Sequence, residues 1–140
     1  MKRYADEPAF VLHRYDWSES SLILDLYTRE GGRVAAAAKG AKRPSSTFRP
    51  VLLPFQALHV GLTQRHADDQ DEVQTLRSAE WAGAGSRSDL EAPAGTLLRG
   101  AALFRGFYLN ELLMKLLPRG EPYPQLFDAY AQALSAIAVD

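Results

Sequence analysis

The chain has 140 residues, 46% of them hydrophobic and 24% charged, with a formal net charge of −1; this is the composition of an ordinary folded core rather than of a disordered segment. It contains no cysteine and three histidines, which excludes a disulfide framework, a cysteine-based zinc site and a thiol nucleophile, so neither metal nor cofactor is expected. The opening Met1 to Pro8 carries acids where a secretory signal needs an apolar run, and no stretch approaches the roughly 18 apolar residues of a membrane span, so a cytoplasmic location is expected.

From Pro8 to about Arg77 the pattern is of short strands separated by turn signals. Ala9 to Trp17 reads as the first strand, closed by Asp16-Trp17-Ser18-Glu19-Ser20. The clearest alternation sets Leu22, Leu24 and Leu26 against Ile23, Asp25 and Tyr27 and predicts a half-buried strand. The paired glycines of Thr28 to Gly32 suit a tight hairpin turn into a strand from Arg33 to Lys39. A loop, Gly40 to Pro54, precedes a strand through Phe55 to Thr63 with Leu58, Val60 and Leu62 on one face. A polar loop, Gln64 to Asp71, leads to a fifth strand at about Glu72 to Arg77. Five short strands of this kind predict a small closed barrel over residues 1–80, with the OB-fold as the natural candidate.

Residues 81–140 read as a partial α-helical domain, giving a β-then-α (α+β) chain. Ala82 to Gly95 is a Gly-, Ser-, Ala- and Pro-rich connector in which Ser88 and Glu91 suit a short capped turn before Pro93. Thr96 to Leu117 carries apolar residues around most of a helical wheel and predicts a helix buried on several sides. Gly100 and Gly106 within it are expected to permit close approach of a neighbouring element. Pro118 and Gly120 end that helix, and Pro124 suits the first turn of the next. The last helix carries Phe127, Tyr130, Leu134 and Ile137 as a stripe. Asp140 opposes the helix dipole, so the helical part is expected to be incomplete and this stripe only partly covered.

The net charge conceals an asymmetry. No acid lies between Glu30 and Asp68, an interval that holds Arg33, Lys39, Lys42, Arg43, Arg49 and Arg65. A local basic field attracts phosphate whatever the net charge. The segment Ala38-Lys39-Gly40-Ala41-Lys42-Arg43-Pro44-Ser45-Ser46-Thr47-Phe48-Arg49 combines bases, hydroxyl donors and a glycine that lets backbone approach a polyanion. A solvated basic loop and a phosphate-binding loop both fit the spacing; the missing acids favour binding. Arg33, Ala35, Ala37 and Lys39 share a strand face, so bases flank small side chains that leave room for a nucleic-acid backbone. Arg33 and the Lys39 to Arg49 segment are therefore expected to form one continuous positive surface. Phe48 and Tyr27 are expected in the core, with base stacking as the alternative.

A catalytic reading finds little. Asp68, Asp69, Asp71 and Glu72 lack the glycine turn and terminal glutamate of a calcium loop and read as a solvated turn. His13, His59 and His66 have no serine or cysteine partner in a recognisable motif, so no enzyme is expected.

Taken in order, Pro8-Ala9-Phe10-Val11-Leu12, Asp16-Trp17-Ser18-Glu19-Ser20-Ser21, Ala38-Lys39-Gly40-Ala41-Lys42-Arg43, Leu53-Pro54-Phe55 and Tyr108-Leu109-Asn110-Glu111-Leu112-Leu113 resemble the RecO family across nearly the whole chain. The resemblance implies an N-terminal OB-fold and a helical second domain. It also implies binding of single- and double-stranded DNA, strand annealing, and work with RecR and single-strand-binding protein to load RecA, at the nucleoid. The family pattern continues beyond residue 140, where some members carry a cysteine zinc module. DNA contact passes by resemblance to Lys39, Lys42 and Arg43, whereas Arg33 and Arg49 rest on the charge argument. The rival expectations are an RNA-binding OB module and a protein adaptor whose apolar helix, Phe104 to Leu117, docks a partner.

Overall fold

A computed structural model describes residues 1–82 and 98–138. Its elements are β1 (Lys2–Asp16), β2 (Leu22–Thr28), β3 (Gly32–Ala38), β4 (Leu58–Gln64), β5 (Gln74–Trp81), α1 (Ala101–Leu116) and α2 (Pro124–Ala138). The strands close into a barrel in the order β1-β2-β3-β5-β4, with β4 returning to β1. All pairings are antiparallel except β3 with β5, where Ala36 faces Gln74 and Ala37 faces Thr75. This is the expected OB-type barrel.

Closure depends on the length of β1. Its second half pairs with β2 and its first half with β4, so Ala9 faces both Thr28 and Leu58. A register shift between Tyr4 and Glu7, with Asp6 at φ 51°, bends the strand there. The charges at Lys2, Arg3, Asp6 and Glu7 disguise this first half in the sequence, and the strand begins seven residues earlier than its apolar pattern predicts.

The barrel core is filled by Val11, Leu24, Leu26, Val34, Ala36, Leu58, Val60, Leu62 and Leu76. The predicted alternation of β2 and β4 therefore holds for their inward residues. The outward face of β2 is not solvated, however. Tyr27 is fully buried and Asp25 nearly so, because α2 covers Tyr27 and a neighbouring arginine, Arg33, covers Asp25.

On that flank Phe10, Leu12, Tyr27 and Phe55 from the barrel form a second core with Leu98, Ala102, Leu117, Phe127, Tyr130 and Leu134. Phe10 meets Tyr130 edge-on at 4.9 Å between ring centroids, and Tyr27 meets Phe127 at 5.2 Å. Polar ties fix the register. Tyr130 donates to Asn110 Oδ1, Asn110 Nδ2 donates to the Leu12 carbonyl at 3.3 Å, and Tyr27 donates to the Tyr123 carbonyl at 3.1 Å. Arg29 grips the Asp128 carboxylate through two nitrogens at 3.0 and 2.9 Å.

The helical part departs from two expectations. The α2 stripe is covered: Phe127, Tyr130 and Leu134 are buried and Ile137 is half-buried, because the barrel's own aromatics receive them. Conversely, α1 is not buried on several sides. It turns Ala102, Gly106 and Asn110 inward and leaves Phe104 (77% exposed), Tyr108 and Leu116 outside. Gly106 explains the choice of face, since a Cβ there would lie 2.6 Å from Leu98 Cδ1 and 2.8 Å from Phe55 Cε1. Gly100 plays no such part; it precedes α1 with φ 57° and open space around it. Most of the expected connector, with Ser88 and Glu91, lies outside the described residues.

Candidate nucleic-acid interface

After β3 the chain reverses at Gly40, whose φ of 72° suits glycine. Successive turns follow, with Arg43 N donating to the Gly40 carbonyl at 3.1 Å and Ser46 N to the Arg43 carbonyl at 3.0 Å. The loop is anchored in the core by Ala41 and Leu52, both almost fully buried, with Phe48 and Val51 packed beside them.

The same loop is bonded to the β1–β2 turn. Lys42 N donates to the Ser20 carbonyl at 2.9 Å, Lys42 Nζ to the Ser18 carbonyl at 3.1 Å, and Gly40 N to Ser21 Oγ at 3.1 Å. Within the turn, Ser18 Oγ accepts from Ser21 N at 3.2 Å and Trp17 N donates to the Ser21 carbonyl at 3.1 Å. Loop and turn thus form one braced rim at a mouth of the barrel.

Two clefts flank this junction. One, of about 340 Å³, is lined by Arg14, Asp16, Leu22, Ala41, Lys42, Arg49 and Leu52. The other, of about 330 Å³, is lined by Trp17, Ser18, Ser20, Ser21, Lys39, Gly40 and Arg43. Lys39, Arg43 and Arg49 are exposed and Lys42 half-buried. The structure therefore brings together four of the predicted bases and adds Arg14, which pairs in register with Leu24 and so points to the same side as the core residues of β2. Asp16 also enters the rim, 3.5 Å from Lys42 Nζ. Among the described residues, no ion pair links Lys39, Lys42, Arg43 or Arg49 to a carboxylate from the acidic second half.

Arg33 stands apart. It lies six residues back along β3, about 20 Å at ~3.3 Å per residue. Its guanidinium holds Asp25 through Nε at 3.0 Å and Nη2 at 2.8 Å, and Nη1 donates to the Leu117 carbonyl at 3.0 Å. Hydrogen bonding to Asp25 holds its pKa above the ordinary arginine value, against the opposing effect of burial. Arg33 is thus a strut between the barrel and the end of α1, and the single positive surface expected from Arg33 to Arg49 is interrupted. Ala35 and Ala37, expected to leave an open shelf, are buried.

The aromatic expectations resolve in favour of packing. Tyr27 is buried, and burial pushes its phenol up to about 12; Phe48 packs on the barrel core. The acids after Asp68 brace their own loop: Glu72 accepts from the backbone of Arg65 at 2.6 Å and His66 at 2.8 Å, and Asp69 Oδ1 accepts from Asp71 N at 3.0 Å.

Fold and rim together define an OB-fold protein with a cationic groove at one barrel mouth and a helical layer on its flank. The chain belongs to the recombination protein O family: the family model described as "Recombination protein O N terminal" matches residues 1–84, and that described as "Recombination protein O C terminal" matches residues 99–140. It is 53% identical over 137 residues to the DNA repair protein RecO of Polaromonas sp. (strain JS666 / ATCC BAA-500), covering 98% of this chain and 49% of that protein. It is 52% identical to the protein of the same name from Delftia acidovorans (strain DSM 14801 / SPH-1), again over 98% and 49% of the two chains. With that of Variovorax paradoxus (strain S110) it shares 50% identity over 99% of this chain and 48% of the relative. The chain spans about half the length of these relatives.

Proposed function

We propose that this chain acts in DNA repair and homologous recombination as a mediator without covalent chemistry of its own. It binds single- and double-stranded DNA on the rim formed by Lys39, Lys42, Arg43 and Arg49, joined by Arg14. The bases grip phosphates and release counterions, and strands so held are free to anneal or to pass to a recombinase. By family membership the protein partners are RecR and single-strand-binding protein, with RecA loaded indirectly, in the cytoplasm at the nucleoid. The observation that carries this reading is the clustering of five cations from β1 and the β3–β4 loop along two clefts beside the β1–β2 turn. The loop between the first two strands is one with which OB-folds hold oligonucleotides.

Fluorescence anisotropy with a labelled single strand, in competition with matched DNA and RNA oligomers, tests the proposal. Binding with DNA competing at least as well as RNA is expected. Preferential competition by RNA would move the chain to the RNA-binding alternative. No binding at low salt would leave the adaptor reading, in which the exposed Phe104 and Tyr108 face of α1 carries the function.

A further inference from the structure

Trp17 is 55% exposed on the β1–β2 turn, where the largest apolar side chain gains little from burial. Its position is nevertheless held. The turn is bonded internally through Ser18 Oγ, and Lys42 and Gly40 tie it to the basic loop through three hydrogen bonds. Trp17 lines one cleft together with Lys39 and Arg43. An exposed indole on a braced turn, beside two exposed cations, has the two elements of a single-strand site: a charge for the phosphate and a flat face for the base. Trp81 offers a contrast within the same molecule. It is also partly exposed, but its indole N–H donates to the Val51 carbonyl at 3.3 Å, and it does not line this cleft.

We propose that Trp17 stacks on an unpaired base and gives the groove its preference for single strands over duplex, a proposal that rests on the reading of this groove as a DNA site. In a duplex the base faces are already stacked on one another, so only the phosphate contacts of the rim's cations remain available. An unpaired strand adds a base face for the indole. The preference is indifferent to sequence, because every base has such a face.

The chain has two tryptophans, so a Trp81→Phe background leaves Trp17 as the sole indole reporter. In that background, oligothymidylate quenches the indole emission over the same concentrations at which anisotropy of the labelled oligomer rises. A blunt duplex of equal length binds with little quenching. Trp17→Ala, its fold checked by circular dichroism, weakens single-strand binding by roughly 5- to 100-fold, the size of a lost base stack. Duplex affinity, carried by phosphate contacts, changes less than about twofold. Trp17→Phe recovers part of the single-strand loss. Tight oligothymidylate binding with unquenched emission would overturn the proposal, as would equal losses for single strand and duplex in Trp17→Ala. If neither oligomer bound the unmodified chain, the groove itself would be wrong and the stacking role would fall with it. The emission titration decides the matter even if Trp17→Ala does not fold.

Discussion

Replacing Arg33 tests whether it serves the fold or the proposed DNA groove. The Asp25 side chain is 2% exposed and that of Arg33 14%, and the pair is closed by two short nitrogen–oxygen contacts plus a third bond to the Leu117 carbonyl. Arg33→Ala leaves a buried carboxylate without its cation. Breaking such a pair from one side costs about 3–5 kcal/mol, so a loss near ~4 kcal/mol is expected. For a chain of this size that corresponds to a Tm lower by roughly 12 °C, at about 3 °C per kcal/mol. Replacing both partners by apolar residues, Arg33→Met with Asp25→Leu, restores part of the loss, because the desolvation of two charges disappears with them while the Leu117 carbonyl still loses its donor. Urea denaturation of the two single variants and the double variant completes the cycle. DNA affinity, measured where all variants are folded, stays near that of the unmodified chain. A stable Arg33→Ala variant, within about 1 kcal/mol of the parent but with weakened, less salt-dependent DNA binding, would refute the strut and return Arg33 to the groove.

Gly106→Ala places a methyl against Leu98 and Phe55, and overpacking of about 1–3 kcal/mol outweighs the helix propensity it adds, as urea denaturation will register. Tyr130→Phe strands the buried Asn110 carbonyl oxygen at a cost of about 1–3 kcal/mol. Adding Asn110→Leu recovers little, because the Leu12 carbonyl then loses its own donor. Glu7 is buried, which raises its carboxyl pKa even though Glu30 and Gly31 donate backbone hydrogen bonds to it. Between the ordinary glutamate value and the raised one, the folded chain therefore binds this proton more than the unfolded chain does. This contribution to stability is fully present below the ordinary glutamate range and is lost as pH rises through the raised value. Glu7→Gln flattens that part of the pH–stability profile, and denaturation midpoints across mildly acidic pH measure it.

The barrel was legible because its inward residues alternate cleanly at Leu22, Leu24 and Leu26 and at Leu58, Val60 and Leu62, with glycines marking the hairpin between β2 and β3. The first half of β1 was not, since a strand that bends and changes partners carries charges where a flat strand would alternate. Apolar residues all round α1 could not disclose which face is used; that depended on the close approach at Gly106. In the groove, Lys39 to Arg49 announced itself by the missing acids, whereas Arg14 and Trp17 enter only when the end of β1 meets the β3–β4 loop. The engagement of Arg33 with Asp25 also had a signal in the sequence. The observed hairpin pairs Tyr27 with Arg33 and so puts Asp25 on its diagonal, within reach of a long side chain; the short turn between Thr28 and Gly32 already pointed to such a pairing.

The most direct test of the groove is the salt dependence of single-strand binding in the triple variant Lys39→Ala, Lys42→Ala, Arg43→Ala. Each lost phosphate contact removes ~0.7 from the slope of log affinity against log salt, so three remove roughly 2. Affinity falls by similar factors for unrelated sequences, because phosphate contacts carry no base information. An unchanged slope in a triple variant that remains folded would contradict the account and place the DNA elsewhere on the molecule.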